Sequence, residues 1–185
     1  MMDVIRIEVP LSRDKVSFLK AGDNVLLSGT VYTGMDVAQR KIVETLTRGD
    51  RLEFDLCDQL FYFVNPSPTK PGQIIGSAGP QANGWIDEYS LKLLELGITG
   101  IIGKGLCSQG IVDGFKEHGA VFFGAIGGIG ALIAKKIISA EVIAYPELGH
   151  DAINRIEIKD FPVVVIVDSQ GNNYYESAKA KYRRV

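Results

Sequence analysis

A lysine set between two glycines, in "GIIGKG" at 100–105, is the residue of this sequence whose surroundings most resemble a binding site. The motif ends an apolar run, so Lys104 stands at the tip of a buried strand, where backbone N–H groups and one ammonium can converge on an anion. A phosphate-binding P-loop needs glycine five residues before the Gly-Lys pair and Ser or Thr straight after it. Ile98 and Gly105 occupy those places, which excludes a Walker lysine. An ordinary surface turn is the competing reading of the same residues.

Other candidates are weaker. "GAIGGIGALIAK" at 124–135 resembles a dinucleotide turn, but glycines at 124, 127, 128 and 130 miss the G-x-G-x-x-G spacing. It opens a helix after a strand, and either anion binding at that N-terminus or close helix–sheet packing accounts for its glycines. His118 falls at a helix C-terminus and His150 near a helix start, neither with a partner visible in sequence, so catalytic duty is assigned to neither. Asp36 and Asp87 begin or adjoin helices, where capping is the default role. Cys57 and Cys107 have no second Cys or His at ligand spacing; they read as free thiols, and no zinc or iron–sulfur site is expected on this chain alone.

Elements that position these residues follow from periodicity and turn chemistry. Strands are expected over "VIRIEVPL" and "NVLLSGTVYT", separated by a polar patch at 12–22, and a helix over 35–46 capped by Thr33 or Asp36. "RLEFDLCDQLFYFVN" reads as strand, "PSPTKPG" as a surface loop because its prolines remove ladder donors, and "QIIGSAGP" as a short strand and turn. Helices ending at Gly97 and Gly119 alternate with strands at 98–105 and 120–126. A helix over 131–140, a short helix over 151–156, and a last strand with a hairpin turn at "GNN" complete the reading. The expected fold class is α/β, a single domain with mixed sheets and helices.

Composition narrows the class further. The 185 residues suffice for one domain, and 46% apolar with 23% charged residues is ordinary for a globular chain. A net charge of −2 with dispersed basic residues gives no electrostatic support for nucleic-acid binding. No apolar run is long enough for a membrane span and no N-terminal stretch reads as a signal peptide, so a cytoplasmic location is expected. The polar segment 177–185 reads as a solvated tail after a domain over 1–176.

Four ordered blocks then carry a family likeness: "PSPTKPGQIIGSAGP", "DEYSLKLLELGITGIIGKG", "AVFFGAIGGIGALIAKKIISAEVIAYPELG" and "DFPVVVIVDSQGN". Together they resemble the β subunit, or C-terminal domain, of class I fumarases and L-tartrate dehydratases. The resemblance implies a swivelling β/β/α domain paired with an α subunit whose cysteines hold a [4Fe–4S] cluster, acting in an oligomer on a small carboxylate. It also implies an anion clamp and a proton-transferring threonine on the β portion.

Residue by residue the likeness is uneven. Lys104, flanked by Gly103 and Gly105, matches the family's lysine, and Ser108 its following serine. In "TGMDVAQ", Thr33 and Asp36 agree, while Met35 stands for arginine and Gln39 for histidine. In "GPQANGWID", Gly79 and Asp87 agree, while Gln81 and Ala82 replace threonines and Trp85 replaces arginine. Losing two charge-assisted contacts costs a dicarboxylate about 3–6 kcal/mol of binding. The expected function is therefore the small subunit of a hydro-lyase with a divergent clamp. Lys104 would bind the carboxylate, Gln81 would orient the substrate, and Met35 and Trp85 would line an apolar or neutral far end. An anion-binding regulatory paralogue and a structural oligomer module are the alternatives.

Overall fold

Parallel strands need crossovers, and the glycine-punctuated helices of this chain supply them. The computed structural model describes residues 4–81 and 87–183, without the side chains of Asp87 and Glu88. Strand β1 (Val4–Val9), the short helix α1 (Arg13–Ser17) and strand β2 (Asn24–Thr33) lead into helix α2 (Asp36–Thr47) and strand β3 (Leu60–Tyr62). Helix α3 (Asp87–Glu95), strand β4 (Gly100–Gly103), helix α4 (Gln109–His118) and strand β5 (Val121–Gly124) follow. A five-residue helix α5 (Gly130–Ala134), strand β6 (Ile137–Ala144), a 3-10 segment (Pro146–Asp151), strand β7 (Ile153–Val167) and helix α6 (Tyr174–Tyr182) complete the order.

The sheet runs β1-β2-β3-β4-β5-β7-β6, and β2 pairs with β7 as well. Strands β2 to β5 are parallel to one another, whereas β7 is antiparallel to both β2 and β5. The pairings β2-β3-β4-β5-β7-β2 therefore close into a ring, which leaves β1 and β6 at the two ends of the order.

Side-chain alternation sorts the apolar residues into two cores. Leu60 and Tyr62 of β3, Ile102 of β4, and Val121 and Phe123 of β5 join one core with Val25, Leu27, Phe161 and Val163. Phe61, Ile101 and Phe122 face the other, under Ile42 of α2, Leu93 and Leu94 of α3, and Phe115 of α4. Strands buried on both faces read as continuous apolar runs, which is why 98–103 and 120–124 carry no alternation in sequence.

Mixed α/β architecture in one domain is as expected, with local corrections. Residues 131–140 are not one helix: α5 stops at Ala134 and Ile137 begins β6, because pairing with β7 outweighs the helical pattern. The short helix lies at 146–151 as a 3-10 turn, and Ile153 already belongs to β7. Within 51–65 only Leu60–Tyr62 is strand, and 73–80 contributes a lone bridge, Val64 with Pro80. The N-cap of α2 is Met35, not Thr33 or Asp36; Asp36 opens the helix as its first-turn acid. The turn at 171–173 is real, but it leads into α6 rather than a strand, and α6 runs across residue 176. No helix among the described residues is long and apolar enough to cross a membrane.

Tyr62 is fully buried, its ring edge-on to Phe161 at 5.3 Å and its hydroxyl donating to the Ala78 carbonyl. Burial pushes this phenol well above its ordinary value of about 10. The unfolded chain therefore loses that proton first, and above about pH 10 folding stability should fall by about 1.4 kcal/mol per pH unit through this group. Urea denaturation across that range should show a shallower decline for Tyr62→Phe; equal slopes would assign the effect to other groups.

Candidate functional site

The carboxyl ends of parallel strands are where an α/β sheet leaves backbone groups and loops free to meet a ligand. Here the segments that follow β3, β4 and β5 converge on one cleft of about 600 Å³. Asn65 and Ser67 come from the first, Lys104 from the second, and Gly128 and Gly130 from the third. Ser77, Gly79, Gln81 and His150 complete its polar side. The volume lies within the range of small-molecule pockets.

Lys104 is positioned by backbone. Phe63 O accepts from Gln81 N at 2.9 Å, and Gln81 O accepts from Lys104 N at 3.2 Å, so the segment carrying Gln81 is laid between the continuations of β3 and β4. Gly103 O accepts from Ala125 N at 2.8 Å, extending the pairing of β4 with β5 to the same level. Beyond Lys104 the chain turns at Gly105, whose φ of +98° is costly for any residue with a side chain. The lysine stem then passes Gly127, where a Cβ would lie 3.6 Å from Cδ and 3.9 Å from Nζ.

The glycines of "GPQ" and "GGIG" act through close approach. Ala78 N donates to Gly130 O at 3.1 Å, and a Cβ on Gly130 would sit 2.5 Å from Ser77 Oγ and 2.7 Å from Gly79 N. Helix α5 has only five residues, so packing, rather than a helix dipole, accounts for this glycine turn. Ser67 and Ser77 are zipped together: Ser67 N donates to Ser77 O at 3.0 Å and Ser77 N to Ser67 Oγ at 2.9 Å.

Sequence reasoning finds Lys104, Gln81 and Gly79 in this cleft and misses His150, Asn65, Ser67 and Ser77. The loop 66–72 gave no chemical signal, and His150 lies forty-six positions from Lys104 with no shared motif. Its segment is pinned to α2: Lys41 binds Glu147 and holds that carboxyl below its usual range, while Thr45 and Tyr145 hydroxyls meet at 3.2 Å. Gly149 then turns the chain with φ +60°, ψ −116°. His150 Nε2 lies 3.5 Å from Asp151 Oδ2, and Asp151 Oδ1 accepts from Asn65 Nδ2 at 2.8 Å.

Other expected site residues fall elsewhere. Met35 does not line the cleft; it packs, half-buried, against the core beneath the helices. Thr33 is buried at the end of β2 and accepts from Asn154 Nδ2 at 3.2 Å. Ser108 caps α4, its hydroxyl accepting from Ile111 N at 3.4 Å. Gln39 is fully buried with no hydrogen bond to its side-chain amide among the described residues, which nothing in the structure explains. Asp87 begins α3, while Ala82 and Trp85 lie outside the described residues.

Fold and cleft together describe a mixed α/β domain that presents one backbone-positioned lysine beyond the ends of its parallel strands. The family model described as "Fumarase C-terminus" matches residues 2–178, and the chain belongs to that family. It is 34% identical over 184 residues to the aerobic class I fumarate hydratase of Salmonella typhimurium, covering 96% of this chain and 32% of that protein. With the aerobic class I fumarate hydratase of Escherichia coli it shares 38% identity over 152 residues, 81% of this chain and 28% of the enzyme. A protein of Methanocaldococcus jannaschii named "Putative L(+)-tartrate dehydratase subunit beta" is 32% identical over 177 residues, with 92% and 91% coverage. The chain thus spans about a third of the fumarate hydratases it matches and nearly the whole of the named subunit.

Replacing Gly130 by alanine tests the packing account. Alanine gains about 1 kcal/mol of helix propensity over glycine, but its Cβ would meet backbone at 2.7 Å, and overpacking of this kind costs about 1–3 kcal/mol. The variant should be destabilised in urea, with amide shifts concentrated at 77–81. A neutral or stabilised Gly130→Ala would show that the approach is not tight.

Proposed function

We propose that this chain is the substrate-binding β part of a hydro-lyase that adds water to, or removes it from, a small hydroxycarboxylate. The observation that carries the reading is Lys104: its main chain is fixed by the Gln81 segment, and its side chain lies in a polar cleft of ligand size. A positioned ammonium holds a carboxylate by a charge-assisted hydrogen bond of about 1.5–3 kcal/mol. Gln81, beside it, orients hydroxyl or carboxylate oxygens through its amide but has no proton to exchange. Membership of the fumarase C-terminus family and the tartrate dehydratase name of a relative of matching length support the reaction class.

The [4Fe–4S] cluster implied by the family likeness does not fit this chain's residues. Cys57 is exposed and Cys107 half-buried, and no three His, Cys, Asp or Glu side chains gather as ligands among the described residues. On this reading its ligands belong to an α partner, as the family likeness implies, and this chain contributes its own cleft residues. The domain's task is to hold the substrate and, by swivelling against that partner, to close over it and exclude water other than the reactant. With Met35 outside the cleft, the neutral polar groups Asn65, Ser67 and Ser77 line it alongside Lys104 and Gln81.

Co-expression with a cysteine-bearing α partner, followed by a hydratase screen over malate, L-tartrate and singly charged hydroxy acids, tests the proposal. Lys104→Ala should weaken substrate binding in the complex by about 2 kcal/mol, roughly thirtyfold in kcat/KM. Cys57→Ser and Cys107→Ser should leave the iron content of the complex unchanged. An unaffected kcat/KM in Lys104→Ala would remove this lysine from the site, and loss of iron from either cysteine variant would place cluster ligands on this chain.

A further inference from the structure

The cleft holds a second ionisable group that can face a bound anion. His150 lines the same cleft as Lys104 and also borders the adjoining smaller one. Its side chain is 68% exposed, and its Nε2 lies 3.5 Å from Asp151 Oδ2. The nearby carboxylate, Asp151, is not itself part of the cleft lining and is held by Asn65. Glu147, three residues earlier, is committed to Lys41 on the α2 side. Apart from Lys104 and His150, every described side chain lining the two clefts is uncharged.

An imidazole is the side chain that changes charge between about pH 5 and 8. We infer that His150 is a second, pH-gated anion-binding residue of this cleft, so that the domain takes a small dicarboxylate with one carboxylate on Lys104 and the other on His150. The inference rests on the reading of Lys104 as the carboxylate-binding residue, and it adds a specificity-determining residue to that site. It also offsets part of the deficit left by Met35 and Trp85, since one imidazolium restores a cation that the clamp otherwise lacks. The anchoring of the 146–151 segment to α2, together with the sharp turn at Gly149, keeps the ring at the cleft rather than free on a loop.

Calorimetric titration of the full chain with L-tartrate and with lactate, which are doubly and singly ionised throughout the range, at about pH 5.5 and about pH 8, tests this directly. Tartrate should bind roughly tenfold tighter or more at the lower pH, while lactate changes by less than about threefold. His150→Gln should abolish the tartrate pH dependence, and Lys104→Gln should weaken both acids at both pH values. The chain has only two histidines, so proton NMR offers an internal control: tartrate should move the ring signals of His150 and leave those of His118, outside the cleft, in place. Tartrate affinity that ignores pH, that keeps its pH dependence in His150→Gln, or that is absent at both pH values would overturn the inference. If Lys104→Gln binds tartrate normally, the lysine reading falls as well; if only His150→Gln is silent, the lysine reading stands alone.

Discussion

The antiparallel pairing of β2 with β7 is the interaction on which the rest of the fold depends. Strand β7 spans fifteen residues and runs beside β2 from Asn24–Val164 to Thr33–Asn154, interrupted by one irregularity near Ser28. Its other edge takes β6 at one end and β5 at the other, so the same strand closes the parallel set and carries an additional ribbon. Without that closure, β5 would be an open edge and Phe123 would lose Val163 and Val165 as core companions. Unpaired backbone at such an edge is costly when buried and adhesive when exposed.

Closure also sets the cleft. Because β2 through β5 all point the same way, the segments leaving them emerge on one side, and the bonds from Phe63 to Gln81 and from Gln81 to Lys104 extend the order of the ring past the last strand residues. The helices α2, α3 and α4 cover the opposite face of the strands from the inner core, and α2 holds the segment bearing His150 through Lys41. Lys104 and His150 are thus supported by different parts of the molecule, Lys104 by sheet backbone and the segment bearing His150 by a side-chain ion pair.

How much of this was legible in the sequence follows from range. Lys104 was visible because its signal is local, a glycine on either side of it at the end of an apolar run, and the helices ending at Gly97 and Gly119 were visible for the same reason. The segment 131–140 misled because two lysines after "ALIA" continue a helical pattern, whereas the decision between helix and strand is made by β7, some twenty residues away. His150 was invisible as a cleft residue because what brings it there is Glu147 reaching Lys41, a contact across 106 positions. Met35 stood in a family motif, yet its side chain belongs to the packing beneath the helices. Motif position indicated neighbourhood and not direction.

The side chains that give the cleft its chemistry hang from strand ends and loops, while those that give the domain its stability point into two cores. Gln81, Ser67, Ser77 and His150 are exposed and belong to neither apolar cluster; the glycine contact between 79 and 130 is what joins the two regions. Exposed substitutions of this kind usually alter folding free energy by no more than about 0.5 kcal/mol. Ligand preference and thermodynamic robustness are therefore nearly independent variables in this scaffold. A lineage, or an engineer, can vary those four side chains while the frame that holds them drifts little.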